Sequence, residues 1–473
     1  MTIITSYPGV YIEELNRLSM SVSHSNTAVP AFAISKQTQK LLQMTVSVRR
    51  IENYMDYQSL LPSTNLELLT PFVFLEPDTE SEKMSLADIG IISSQPFTVT
   101  SSSQGISFKG YKNNGEFVTQ GDLTSSDFEV GDSSQDEEGN TIPGLEPECF
   151  TLTFKNVTES MQLVEHEVTF VQGETEVALT LKVADTYFND YMRAYFNNGG
   201  GTCYLIEESA LKQEVPNYDD ITLLVAAGRD ISDAASLLSE GNNLFAILDG
   251  PNTSLTIEDV PDWNKMGNSK YAAVYYPWLT ANWNERAIAP SVAIAGAYCK
   301  NDSARGVWKA PANMTLVGVT PIHKVSDNLQ GQYTKGAGLA LNMIRQFNNG
   351  TPTIWGARTL DDSEQWRYVP VRRLFNSAEK DIQDAMKIAM FEPNSQPTWE
   401  AVRAAVTNYL TKLWKNGALQ GTKPEEAFFV QVGKGITMDQ EQINNGEMIV
   451  KVGMAAVRPA EFIVLQFTQD VDQ

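Results

Sequence analysis

The chain has 473 residues, room for about three domains of roughly 150 residues each, and its 42% hydrophobic content is ample for folded cores. A net charge of −23 excludes a general nucleic-acid binder, which needs a basic footprint, and excludes docking on anionic lipid. The three cysteines, Cys149, Cys203 and Cys299, are widely spaced and form no CxxC, which fits free thiols in a reducing compartment.

Residues 1–30 read as an extended arm. Pro8-Gly9 signals a turn, and Val10, Ile12 and Leu15 lie among polar residues. Ser19 to Thr27 is a small-polar stretch that cannot hold a core, so it either frays or binds something. About 20 extended residues reach on the order of 65 Å, far enough to touch a neighbouring subunit. The opening residues show no basic region followed by an apolar core, so no signal peptide is expected. No apolar run approaches the ~20 residues of a membrane span, so no membrane insertion is expected either.

Val29 to Ile34 and Val46 to Ile51 predict strands, and Tyr54 to Leu61 a short helix. Between Pro71 and Asp185 the character changes. About 21 acidic residues stand against about 5 basic ones, roughly −16 of the total charge. Short alternating runs such as Phe97 to Thr100, Ile106 to Phe108, Phe150 to Phe154, Val168 to Val171 and Val177 to Leu181 are punctuated by Gly, Asn, Asp and Ser. This is the pattern of a small all-β domain.

From Thr186 to Gln346 strands and helices alternate. Tyr187 to Asn198 reads as a helix, Gly199-Gly200-Gly201 ends it, and Cys203 to Ile206 reads as a strand. The continuous apolar runs Leu244 to Asp249, Tyr271 to Tyr276 and Val292 to Ala295 predict strands covered on both faces, hence an α/β layer. In the last segment Leu374, Ala378, Ile382, Ala385, Met386 and Ala389 repeat at helical spacing, with Pro393 and Pro397 expected to stop that helix. Thr398 is the expected cap of a second helix striped by Val402, Ala405, Val406, Tyr409, Leu413 and Trp414, with Gly417 just past its end. Ala427 to Val432, Glu447 to Val452 and Phe462 to Phe467 predict strands, with Asn445-Gly446 a turn before the second.

The chemistry of catalysis is missing from these patterns. His24, His166 and His323 stand apart, none with a ligand partner at i+3 or i+4. The Gly199 to Gly201 run follows a helix and opens a strand, the reverse of a phosphate loop. Asp361-Asp362 lies between Arg358 and Arg367, where ion pairing is expected rather than a metal. No serine stands in G-x-S-x-G. Neither an enzyme nor a cofactor is expected.

Longer strings carry a resemblance. Ile354 to Leu360 is followed by Trp366-Arg367-Tyr368-Val369-Pro370-Val371-Arg372-Arg373-Leu374, then Phe391-Glu392-Pro393-Asn394, Leu413-Trp414-Lys415-Asn416-Gly417 and Pro459-Ala460-Glu461-Phe462. Upstream stand Tyr7-Pro8-Gly9-Val10-Tyr11-Ile12-Glu13-Glu14, Tyr195 to Gly200, Tyr275-Tyr276-Pro277-Trp278 and Asp302 to Asn313. Over residues 1–70 and 186–473 the chain resembles the tail sheath proteins of contractile-tailed phages and of related contractile injection particles. The injection-particle sheaths are the nearer likeness.

The resemblance implies a structural subunit in stacked hexameric rings around an inner tube, contracting to drive that tube through a target envelope. It implies other sheath subunits, the inner tube protein, and baseplate and terminal cap proteins as partners. Assembly in a bacterial cytoplasm, then release in an extracellular particle or phage virion tail, goes with it. The expected fold is α+β multidomain: an arm (1–30), the start of a mixed α/β core (31–70), an inserted acidic β-rich outer domain (71–185), the rest of the core (186–345), a C-terminal α+β assembly domain (346–458) and a terminal arm strand (459–473). Tyr7, Val10, Tyr11 and Ile12, with Phe462, Val464 and Phe467, are the expected inter-subunit arm strands. The helix charges Lys380, Asp381, Asp384, Lys387, Arg403, Lys412 and Lys415 are candidates for weak contact with the inner tube. The alternatives are a specialised sheath paralogue at the baseplate or in only some rings, or an adhesin that uses 71–185 for binding.

Overall fold

The computed structural model describes residues 21–42, 44–60, 188–256, 266–284, 286–334, 340–347 and 350–461, with Gly173 and the backbone of the strands between 72 and 183. The expected arm residues Tyr7, Val10, Tyr11, Ile12, Phe462, Val464 and Phe467 lie outside these.

The elements run β1 (Pro30–Ile34), α1 (Lys36–Leu41), β2 (Val48–Ile51) and α2 (Tyr54–Gln58). Next come β3 (Phe72–Phe74), β4 (Phe97–Ser103), β5 (Ile106–Asn113), β6 (Glu116–Gly121), β7 (Phe128–Asp132), β8 (Phe150–Phe154), β9 (Glu165–Gln172) and β10 (Thr175–Val183). Then follow α3 (Phe188–Asn197), β11 (Cys203–Glu207), α4 (Leu211–Glu214), β12 (Leu223–Val225), α5 (Ser232–Asn242), β13 (Phe245–Asp249), β14 (Ala272–Tyr276), β15 (Leu279–Ala281) and β16 (Ala287–Ile288). After them stand α6 (Pro290–Arg305), β17 (Met314–Thr315), β18 (Val319–Pro321), α7 (Asp327–Gln332), β19 (Leu341–Gln346) and β20 (Pro352–Trp355). The chain continues with α8 (Val369–Met386), α9 (Gln396–Lys415), α10 (Pro424–Ala427), β21 (Phe428–Gln431), α11 (Gln440–Asn444) and β22 (Lys451–Met454).

Contacts divide the chain into two units, residues 34–192 and residues 1–33 with 193–473. Within the first, eight strands form one sheet in the order β6-β5-β4-β9-β10-β3-β8-β7, every pair antiparallel. The β9–β10 turn opens with Gly173 at φ +62, the sign that tight hairpin turns require.

In the second unit the main sheet contains the run β17-β20-β19-β14-β13-β12-β1-β11. From β19 through β14, β13 and β12 to β1 the strands are parallel, while β20 and β17 return antiparallel. Phe245 to Ile247 and Ala272 to Tyr276 are fully or almost fully buried, as parallel strands covered on both faces must be. The fold is mixed α/β.

One predicted strand is a helix. Val292 to Ala295 belongs to α6, whose residues Pro290 to Tyr298 are all buried. A helix wrapped on every side needs no polar face, so its sequence reads as an unbroken apolar run, like a central strand. Pro290 in the first turn favours the helix. Gly296 lets it approach α3 so closely that a Cβ there would collide with the Tyr195 carbonyl oxygen.

At the C-terminal end, α8 and α9 share a core of Leu374, Ala378, Ala385, Ala405, Val406, Tyr409, Leu410 and Leu413, and Val22 packs into it. α8 begins at Val369, before the striped residues, and ends short of both prolines. Ser395 takes the N-cap position of α9, Pro397 lies in its first turn, and Thr398 is inside the helix, its hydroxyl donating to Pro393 O at 2.7 Å. Gly417, at φ +81, ends α9 as expected. The Ala418 N–H bonds Leu413 O at 3.0 Å, and the Gly417 N–H bonds Trp414 O at 2.9 Å. The strand expected at Glu447 to Val452 forms at Lys451–Met454, pairing antiparallel with β21. Asn445-Gly446 closes α11 instead of a hairpin. That helix is set by a capping box between Asp439 and Gln442.

Because the clash at Gly296 is with backbone, Gly296→Ala is expected to cost about 1–3 kcal/mol of stability, read as a lowered urea midpoint with unchanged slope.

Candidate functional site

Two ends of the described chain are fastened to the α8 region through charged side chains, and the first fastening is buried. The first holds the strap from Val22 to Val29. Arg373, in the second turn of α8, is 3% exposed. It reaches Asp302 of α6 through two bonds, Nη2 to Oδ2 at 2.6 Å and Nη1 to Oδ1 at 3.1 Å. Its Nη2 also donates to Thr27 O at 2.9 Å, and the Thr27 hydroxyl donates to Asp302 Oδ2 at 2.6 Å. Below, the guanidinium stacks on Tyr298, 4.6 Å from the ring centre, and the Tyr298 and Tyr275 hydroxyls meet at 2.7 Å. Burial pulls the Arg373 pKa down, but the Asp302 carboxylate outweighs it and the net direction is up, so the guanidinium stays charged.

About two turns further along α8, Asp381 takes the strap again. Its Oδ1 accepts from the Ser25 N–H at 3.0 Å and from the Ser25 hydroxyl. Its Oδ2 accepts from the Tyr409 hydroxyl of α9 at 2.7 Å, with His24 Nδ1 3.5 Å away. Burial first, then the Asp381 charge, pushes the Tyr409 hydroxyl pKa well up, which keeps it a donor. Asp381 was expected among exposed helix charges. It is 2% exposed, because the strap covers that face of α8. Neighbouring Arg372 is buried too, bonding Asn376 Oδ1 at 2.7 Å and Glu379 Oε1 at 2.9 Å beneath the Trp366 ring.

The second fastening holds Glu461, the last described residue. Arg358 donates to its carboxylate from Nε at 2.9 Å and from Nη2 at 2.6 Å, while Nη1 donates to Thr334 O at 2.8 Å. The Tyr368 hydroxyl, at the start of α8, donates to the same carboxylate at 3.2 Å. Asp362 pairs with both Arg358, at 3.4 Å, and Arg367, at 2.9 Å, as its position between them suggests.

The expected tube-contact charges form no single cluster. Lys380 donates to Asp219 O, and Lys387 pairs with Asp384 at 2.8 Å. These three line a groove of about 200 Å³ beside Tyr218 and Asn242. Arg403 bonds Glu400 at 2.7 Å and Val432 O. Lys412 and Lys415 stand exposed in the last turn of α9, where cations suit the helix dipole. The residues that sequence reasoning missed are Thr27, Asp302, Arg373 and Tyr409, whose partners lie up to 346 positions away. The available signal was Arg372-Arg373, a charged pair between the apolar residues Val371 and Leu374.

Among known structures, the contracted sheath complex of PVC, an extracellular contractile injection system, matches at 42% identity over 99% of both chains, with a TM-score of 0.68. The chain belongs to the contractile tail sheath family. The contracted baseplate of the anti-feeding prophage contains a chain that matches this sheath protein at 34% identity, covering 98% of this chain and 99% of that one, with a TM-score of 0.66. Residues 361–470 match the phage tail sheath C-terminal domain, and both Arg373 and Glu461 fall inside that span. A prophage major tail sheath protein of Pseudomonas aeruginosa (strain UCBPP-PA14) is 30% identical over 157 residues, 31% of this sheath protein and 40% of that relative's length.

Arg373→Met leaves Asp302 buried without its partner and is expected to cost about 3–5 kcal/mol. The double variant with Asp302→Leu should recover most of that loss, and a double-mutant cycle in urea checks both values.

Proposed function

We propose that this chain is the sheath subunit of an extracellular contractile injection particle. The observation that carries the reading is the 42% identity to the contracted PVC sheath along 99% of each chain. Subunits assemble in the bacterial cytoplasm as stacked hexameric rings around an inner tube, bounded by a baseplate and a terminal cap. They are then carried in a released particle and contract against a target envelope. No catalysis is needed. An extended sheath that gains ~200 Å² of apolar burial per subunit on contraction releases roughly 5 kcal/mol each, an upper figure, and many copies sum it.

In this reading the segments before Val22 and after Glu461 reach neighbouring subunits as added strands. Backbone bonding of that kind survives rotation of the bodies it joins. The two-stranded sheet β21–β22 is a suitable acceptor, since two strands alone are marginal and gain from a third. Residues 71–185 form an outer domain whose acidic surface limits aggregation of particles. Lys380, Asp384, Lys387, Arg403, Lys412 and Lys415 remain the proposed polar contacts with the tube, weak enough to break on firing. The likeness to a baseplate chain favours a second reading, a specialised paralogue confined to the baseplate end.

Negative-stain electron microscopy separates these readings. Expressed alone, the main sheath protein should form hollow striated cylinders, and with its tube partner a narrower, longer form. Discrete monomers under both conditions would shift the assignment to the paralogue. Removing residues 1–20 should leave soluble monomers; sheath at normal yield from that variant would exclude arm-mediated assembly.

A further inference from the structure

The buried carboxylate of Asp381 is held by neutral groups. It accepts from the Ser25 N–H at 3.0 Å, from the Ser25 hydroxyl, and from the Tyr409 hydroxyl at 2.7 Å. A carboxylate taken out of water carries a large penalty that a facing cation offsets best. Among the described residues one ionisable nitrogen stands within ion-pair distance of it, His24 Nδ1, 3.5 Å from Oδ2. The imidazole also leans on Tyr409, with ring centres 4.9 Å apart, so its place beside the carboxylate is fixed from two sides. Unlike Asp381 it is in touch with water. Its side chain is 48% exposed, and it lines an open groove of about 590 Å³ beside the strap, so protons reach it from solvent.

The other titratable groups around the strap are engaged elsewhere. Arg373 is paired with Asp302, and Lys380 donates to Asp219 O. The Cys299 thiol donates to Ala28 O at 3.5 Å, and burial pushes its pKa up, so it stays protonated. Burial, then the charge of Asp381, keeps the Tyr409 hydroxyl a donor. Histidine is the side chain whose charge ordinarily changes between about pH 5 and 8. Ahead of Thr27, the strap's attachments among the described residues are the Ser25 bonds to Asp381 and the packing of Val22. A change of charge at His24 therefore acts on the outermost hold of the strap.

We propose that His24 and Asp381 form a proton-operated latch on the strap. Taking up a proton makes His24 a cation beside Asp381 and holds the strap more firmly on α8 and α9. Releasing it leaves the strap on neutral hydrogen bonds. The cation has its carboxylate partner only while the strap is docked, so docking and proton uptake favour each other. The added hold is thus present below the ordinary histidine range, about pH 6.5, and is lost as the pH rises through it. The latch is a property of one chain and does not need the sheath reading. Within that reading the strap roots the segment that reaches a neighbour, and the joint would be firmer in mild acid.

Hydrogen exchange of the full-length protein, read by mass spectrometry and corrected for the intrinsic pH dependence of exchange, tests it. Protection of residues 22–28 should rise about two- to fivefold on going from about pH 7.5 to about pH 5.5, the scale of a half-exposed ion pair. His24→Gln should match the unmodified protein at the higher pH and show no rise. Asp381→Asn keeps the acceptor oxygen for Ser25 and Tyr409 but removes the charge, and should show no rise either. No rise in the unmodified protein would overturn the latch. A rise of the same size in His24→Gln would also overturn it, because the titrating group would then lie elsewhere. None of these outcomes bears on the sheath reading, which the microscopy decides separately.

Discussion

A guanidinium and a carboxylate buried together are the constraint on which this end of the molecule depends. Arg373 and Asp302 are 2% and 4% exposed at their side chains. Neither can be left alone without a large desolvation penalty, so α6, α8 and the strap have one mutually satisfying arrangement. The strap contributes its part through the Thr27 carbonyl and hydroxyl. Thr222 then carries the constraint into the sheet, donating to Thr27 O at 3.0 Å and accepting from the Val29 N–H at 2.8 Å. The segment that looked too polar to pack is fixed by polar bonds, with Val22 adding a single apolar contact to the α8–α9 core.

The same logic accounts for the charges on α8. Its buried face holds Arg372, Arg373, Asn376 and Asp381 as well as Leu374 and Ala378. Apolar packing sets how closely the helices approach, but it tolerates sliding. Directed bonds to Asp302, Leu244 O and Tyr409 fix register and rotation. In the sheath reading proposed above, a fixed register within the body is as useful as stability, since every copy must present the same surfaces to its neighbours.

How much was legible in the sequence follows from which forces are local. The β-run pattern between residues 97 and 183 is alternation, a local signal, and most of those strands stand where it puts them; β7 ends in Gly131-Asp132, which reads as a turn, and β3, ahead of that stretch, has only three residues. The α8 and α9 stripes were legible for the same reason. Val292 to Ala295 was misread because complete burial erases periodicity in helix and strand alike. Asp381 was misread as solvated because i, i+4 spacing cannot report a cover arriving from 356 residues away. The Arg358–Glu461 pair, 103 positions apart, was hidden in the same way, although both residues lay in strings that carried the family resemblance.

The placement of those two fastenings has a mechanical consequence. Tension on the chain ahead of Val22 would meet Asp381 and Arg373, within α8. Tension on the chain beyond Glu461 would meet Arg358, just past β20, and Tyr368, at the N-terminal end of the same helix. A load entering by one end and leaving by the other would therefore be shared between α8, an eighteen-residue helix, and the parallel sheet, which Thr222 and Asn342 tie to the two fastenings. The strap end is held by hydrogen bonds from Ser25 and Thr27 to charged partners, and the Glu461 end by an ion pair, both of them directed, charge-assisted bonds.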